Sequence, residues 1–152
     1  MADFYENKQV TEEVILVGVA LGETSVTDES LDELEELAKT AGAVTVGRLI
    51  QNREMIHPGT YLGKGKLEEL AFLISETHAT GIICDDELSP AQMANMGDVL
   101  DIKVMDRTLL ILDIFAQRAT TREGKIQVEL AQLRYMLPRL VGQGEALSRL
   151  GG

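Results

Sequence analysis

The chain has 152 residues, 45% hydrophobic and 4% aromatic, with no tryptophan, one cysteine and a net charge of −11. A core of Leu, Ile, Val, Met and Ala is within reach of that composition, which excludes wholesale disorder. No apolar run reaches the roughly 20 residues of a membrane-spanning helix, and the acidic balance excludes a general nucleic-acid binder, which needs clustered cations. Cys84 has no internal partner, and Met1-Ala2-Asp3-Phe4-Tyr5-Glu6-Asn7-Lys8 lacks the basic and apolar stretches of a secretion signal, so the expected compartment is the reducing cytoplasm.

The elements alternate. Val14-Ile15-Leu16-Val17-Gly18-Val19 reads as a first strand. Thr27 before Asp28-Glu29-Ser30 reads as a helix cap with acids in the first turn. Leu31, Leu34, Leu37 and Ala38 follow at helical spacing, and Gly42 closes that helix. Residues 43–50 read as a second strand. A glycine-rich loop from His57 to Lys66 leads into a helix carrying Leu67, Leu70, Ala71 and Ile74. Gly81-Ile82-Ile83-Cys84 is the third strand, Ser89-Pro90 opens a helix with Ser as cap, and Ile102-Lys103-Val104-Met105 is the fourth strand. Strand–helix alternation at this spacing means βαβ units and parallel strands. The first and third runs are continuously apolar, as in a sheet covered on both faces. The predicted class is α/β: a four-stranded parallel sheet, order 2-1-3-4, with helices on both faces, spanning residues 1–105.

From Asp106 the pattern changes to a helical arm, residues 106–152. Residues 107–119 form an apolar helix, and Thr120 with Glu123 matches a capping box that starts another. In that helix Ile126, Leu130, Leu133, Leu137 and Leu140 fall at steps of 4, 3, 4 and 3. This coiled-coil-like seam asks for a second helix. Residues 107–119 folding back, another chain, or a helix beyond Gly152 are the alternatives, beside ordinary core packing. Pro138 is expected at a kink or helix end, and Gly142, Gly144, Gly151 and Gly152 at a flexible finish. Charge divides at the same point: 7 Lys/Arg against 20 Asp/Glu before residue 106, and 7 against 5 from there on. RNA contact is therefore expected from the arm, unless both halves simply present solvated faces.

The loop Pro58-Gly59-Thr60-Tyr61-Leu62-Gly63-Lys64-Gly65-Lys66 is close to a phosphate-binding loop but fails its spacing in both registers. Gly59 to Gly63-Lys64 is one residue short, and Gly65 or Leu67 stands where Ser/Thr is required. It still brings Gly59, Gly63, Lys64, Gly65 and Lys66 to a helix amino-terminus, which favours anions. The readings are a weak phosphate or nucleotide site, or a plain turn. Asp85-Asp86-Glu87 lies where α/β folds place ligands and reads as a magnesium-holding cluster or an acidic loop. His57 and His78 have no second ligand at metal spacing, and no catalytic grouping is visible.

His57-Pro58-Gly59-Thr60-Tyr61-Leu62-Gly63-Lys64-Gly65-Lys66 resembles the glycine loop of the HflX family of ribosome-associated GTPases. Asp106-Arg107-Thr108 with 110–119 resembles that family's second signature, and Thr121 to Leu133 its third. The likeness runs over roughly residues 12–152. It implies a cytoplasmic protein whose full length binds GTP and magnesium, binds the large ribosomal subunit (23S-type rRNA) and splits stalled ribosomes. This amino-terminal part would have no catalytic site and no cofactor of its own. It also implies that a second long helix and the GTPase module follow Gly152, the helix being the partner of the seam. Arg139, Gln143 and Arg149 match the arm's tip and are the implied rRNA contacts. The competing expectations are an ATP-binding domain at the glycine loop and an oligomerisation module that pairs the seams of two copies.

Overall fold

The computed structural model describes the backbone of residues 11–151 and the side chains of residues 11–139. Its elements in chain order are β1 (Glu13–Ala20), α1 (Thr24–Thr40), β2 (Val44–Asn52), α2 (Lys64–Thr77), β3 (Gly81–Cys84), α3 (Pro90–Leu100), β4 (Lys103–Asp106), α4 (Arg107–Arg118) and α5 (Arg122–Gly151). All strand pairs are parallel and the order is β2-β1-β3-β4, the expected class and order.

Alternation along the strands divides the core in two. Ile15, Val17 and Val19 of β1 with Ile82 and Cys84 of β3 face Leu67 and Leu70 of α2 and Met93 and Met96 of α3. Val14, Leu16 and Ile83 point the other way, against Leu31, Leu34 and Ala38 of α1 and Leu110 and Ile114 of α4. β1 and β3 are buried along almost their whole length because both of their faces are covered. α5 packs against both α3 and α4, which lie on opposite faces of the sheet.

Several local signals fall where the sequence places them. Ser89 and Gln92 form a reciprocal capping box, with Pro90 at the first helical position. Gly42, at φ +95°, ends α1: its N–H bonds the Lys39 carbonyl and the Ala43 N–H bonds that of Ala38. Others shift. α1 begins at Thr24, three residues before the expected cap Thr27. Thr27 is used for packing instead, since a Cβ on Gly18 would lie 3.0 Å from its methyl. The cap of α5 is Thr121, not Thr120: its Oγ1 accepts the Gly124 N–H at 3.0 Å. That register suits Gly124, where a Cβ would lie 2.9 Å from the capping oxygen. Pro138 does not end the helix, which continues to Gly151 through the glycines expected to mark a flexible finish. Its missing N–H leaves the Arg134 carbonyl without its usual donor.

The seam on α5 is where expectation and packing part most clearly. α4 does fold back on α5, but it meets the other face. Val128, Ala131, Tyr135 and Met136 are half-buried and Arg139 is buried, whereas Ile126, Leu130, Leu133 and Leu137 are 54%, 45%, 55% and 61% exposed. Leu140 lies outside the described side chains.

Candidate functional site

The carboxyl ends of β3 and β4 deliver the polar residues of this protein to one edge, as parallel sheets do. β3 runs into Asp85 and Asp86. The Arg107 guanidinium donates to Asp85 through Nε at 3.1 Å and Nη2 at 2.6 Å, and its Nη2 also reaches the Ser30 carbonyl and hydroxyl on α1. Asp86 accepts the Tyr61 hydroxyl at 2.5 Å. The two carboxylates are thus drawn into separate pairs. Among the described residues no group of three or more His, Cys, Asp or Glu is arranged to hold a metal ion.

Tyr61 is the centre of the glycine loop. Its side chain is fully buried and its backbone is left-handed, at φ 66°, a conformation that a bulky residue adopts only when its surroundings enforce it. Burial, with the Asp86 charge beside it, holds its phenol far above the ordinary range. His57 organises the turn: its Nδ1 accepts the N–H groups of Gly59 at 3.0 Å and Thr60 at 3.1 Å, so the neutral ring carries its proton on Nε2. From α3, Gln92 Nε2 donates to the His57 carbonyl at 2.9 Å and Asn95 Nδ2 to that of Gly59 at 2.8 Å.

The candidate phosphate residues have different fates. The Gly59 N–H is taken by His57, and the Gly63 N–H by Gln51 Oε1 at 2.8 Å. Lys66 pairs with Glu69 at 2.8 Å, while Lys64 and Gly65 are exposed in the first turn of α2. N–H groups of a first turn have no intrahelical acceptor. Beside them Arg53 Nη1 is buried without a hydrogen-bond partner, and a Cβ on Gly63 would lie 2.9 Å from it. Arg53 has no place in any sequence motif; only its position at the end of β2 brings it here.

A second cluster, unforeseen from the sequence, joins the arm to the sheet. Asp106 is fully buried, and its Oδ1 accepts the Leu109 N–H at 2.9 Å as the cap of α4. Its Oδ2 accepts the Leu88 N–H at 2.9 Å and the Tyr135 hydroxyl of α5. Burial, then that bond to Asp106, raises the Tyr135 phenol above its ordinary range. Arg139, an expected RNA contact, is only 9% exposed. Its Nη1 donates to the Tyr135 carbonyl at 2.7 Å and its Nη2 to the Leu88 carbonyl at 2.5 Å, with the guanidinium 3.6 Å from the Tyr135 ring centre. The side chains of Gln143 and Arg149 lie outside the described residues.

A parallel α/β domain with such a helical arm defines a known class. A family described as GTP-binding GTPase N-terminal matches residues 28–116, and the GTP-binding GTPase Middle Region matches 118–152. The chain belongs to the GTP-binding GTPase N-terminal family. Within it, the curated relatives of the chain include HflX proteins, and the chain corresponds to their amino-terminal region. It is 66% identical over 152 residues to GTPase HflX of Lacrimispora saccharolytica, covering 100% of this chain and 36% of that protein. With GTPase HflX of Escherichia coli it shares 45% over 124 residues, 82% of this chain and 29% of the other. The chain therefore spans about a third of the length of its curated relatives. A GTP-binding protein from Sulfolobus solfataricus, solved with GDP, has the same fold at TM-score 0.66 and 24% identity, over 88% of this chain and 40% of that one.

Proposed function

We propose that this chain is the ribosome-binding, regulatory part of an HflX-type GTP-binding protein, which in full length hydrolyses GTP with magnesium, binds the large ribosomal subunit and splits stalled ribosomes in the cytoplasm. The observation that carries the reading is the division of charge in a member of this family. Residues 1–105 carry the acidic excess, and residues 106–152 carry a basic one, on the side of the chain that supplies the arm meeting 23S-type rRNA. In this reading Gln143 and Arg149 supply RNA contacts, and Arg139 holds the arm in place. The exposed seam of Ile126, Leu130, Leu133 and Leu137, continued by Leu140, receives a second helix beyond Gly152, next to a GTPase module. Co-sedimentation with purified large ribosomal subunits at low and physiological salt tests the reading. Salt-sensitive binding that Arg149→Glu abolishes is the expected result; binding untouched by that change removes the arm from the contact. Light scattering separates this use of the seam from self-pairing of two copies, which a dimer mass would reveal.

A second reading rests on Arg53. Its unpartnered Nη1 beside Gly63, with the first-turn amides of Lys64, Gly65 and Lys66, favours an anion such as the phosphates of ATP. Calorimetry with ATP and magnesium, on the wild type and Arg53→Gln, decides it. Heat lost in the variant supports the site, and no heat in the wild type ends it.

A further inference from the structure

The contacts between α5 and the sheet are unusual for a helix so rich in leucine, because the best-buried ones are polar. Arg139 brings a cation into the interior, yet among the described residues it enters no ion pair, and its Nε is buried without a hydrogen-bond partner. Two carbonyls and one aromatic ring hold it. A buried donor left unsatisfied opposes the closed arrangement even while its neighbours orient it. The result is a joint that is directional but not tightly locked.

What the joint grips is also specific. The Leu88 peptide is held from both sides, its N–H by Asp106 and its carbonyl by Arg139. The next residue, Ser89, is the cap of α3, and the Gln92 that completes the capping box also holds the His57 carbonyl. Asn95, one turn on, holds Gly59. A continuous line of hydrogen bonds therefore runs from α5 through the first turn of α3 to the glycine loop.

We propose that Asp106, Tyr135, Arg139 and the Leu88 peptide form a releasable clasp that sets the direction of α5, and that α3 couples this clasp to the glycine loop. Release of Arg139 frees the Leu88 carbonyl and loosens the capping turn that restrains His57 and Gly59. Conversely, a change in the loop is felt at the arm. These residues position the arm; none of them is given a chemical step.

The test uses the 152-residue chain with spin labels at Glu36→Cys on α1 and Glu129→Cys on α5, both exposed positions, the native Cys84 being buried. In that background Arg139→Met should broaden and shift the distance distribution between the labels. It should also speed amide exchange at Gly59 and Thr60 about tenfold, the size expected from losing one charge-assisted bond, with Ile15–Val17 and Ile82–Cys84 unchanged. Gln92→Ala, acting from the loop end, should broaden the same distribution. An unchanged distribution in Arg139→Met overturns the clasp. A moved arm with unmoved loop amides overturns the coupling, and uniform acceleration that includes β1 shows mere loosening and overturns both. If Arg139→Met does not fold, Tyr135→Phe replaces it, with the same measurements and the same outcomes supporting or overturning the clasp and the coupling.

Discussion

The two faces of α5 are opposites in composition and in use. The outer face carries Ile126, Leu130, Leu133 and Leu137 in a regular 4-3-4 spacing, and all four are exposed. The inner face carries a tyrosine, an arginine, a glutamine, a methionine, a valine and an alanine in no conspicuous pattern, and it makes the contacts that fix the helix. Apolar periodicity reports what a helix is made to bury; it does not say which face a given neighbour takes. Here the neighbours within the chain take the face whose strongest bonds converge on a buried carboxylate and a backbone carbonyl.

That contrast can be broken by substitution. Asp106→Ala should have the largest effect, because it orphans the Leu88 and Leu109 amides and the Tyr135 hydroxyl together. A loss of about 3 kcal/mol in urea unfolding is expected; a loss below about 1 kcal/mol would remove Asp106 from the centre of the joint. Tyr135→Phe should cost about 1–2 kcal/mol and leave a signature in alkali. A phenol whose folded value is raised contributes stability fully below its unfolded value, and that contribution is lost as pH rises through the folded one. Wild-type stability should therefore fall more steeply than that of Tyr135→Phe above about pH 10. Tyr61 is common to both proteins, so the difference isolates Tyr135.

Smaller effects sharpen the comparison. Thr121→Ala should lower stability by about 1 kcal/mol, and Thr120→Ala by only a few tenths, since Thr121 alone accepts the Gly124 amide. Leu133→Lys on the outer face should change unfolding of this chain by no more than about 0.5 kcal/mol. The same change should abolish any association made through the seam, read as a monomer mass by light scattering. A large loss of stability from Leu133→Lys would mean that the outer face is already buried.

Much of the sheet is legible in the sequence because its signals are local and redundant. β1 and β3 are short continuous apolar runs, Ser89-Pro90 and Gly42 punctuate helices through their own backbone preferences, and the alternation of elements dictates parallel strands. The cap of α5 is off by one residue because Thr120 and Thr121 are chemically equal, and only the space at Gly124 separates them. The polar joint is not legible at all. Tyr135 meets Asp106 across 29 positions and Arg139 meets Leu88 across 51, and no periodicity links partners so far apart. Arg139 looks like a surface cation from its sequence neighbours, and Arg53 like a loop residue; strand order and helix register give both their surroundings.

The buried thiol of Cys84 makes the chain its own recorder of opening. It is the sole cysteine, it sits at the end of β3 with no exposed surface, and burial pushes its ionisation well above the usual thiol range. Attack by an alkylating reagent needs a thiolate in contact with solvent, so each modified molecule marks one excursion in which the central sheet came apart. At reagent concentrations where alkylation outpaces reclosing, the rate of that reaction times the lifetime of the folded core, without a label added or a residue changed.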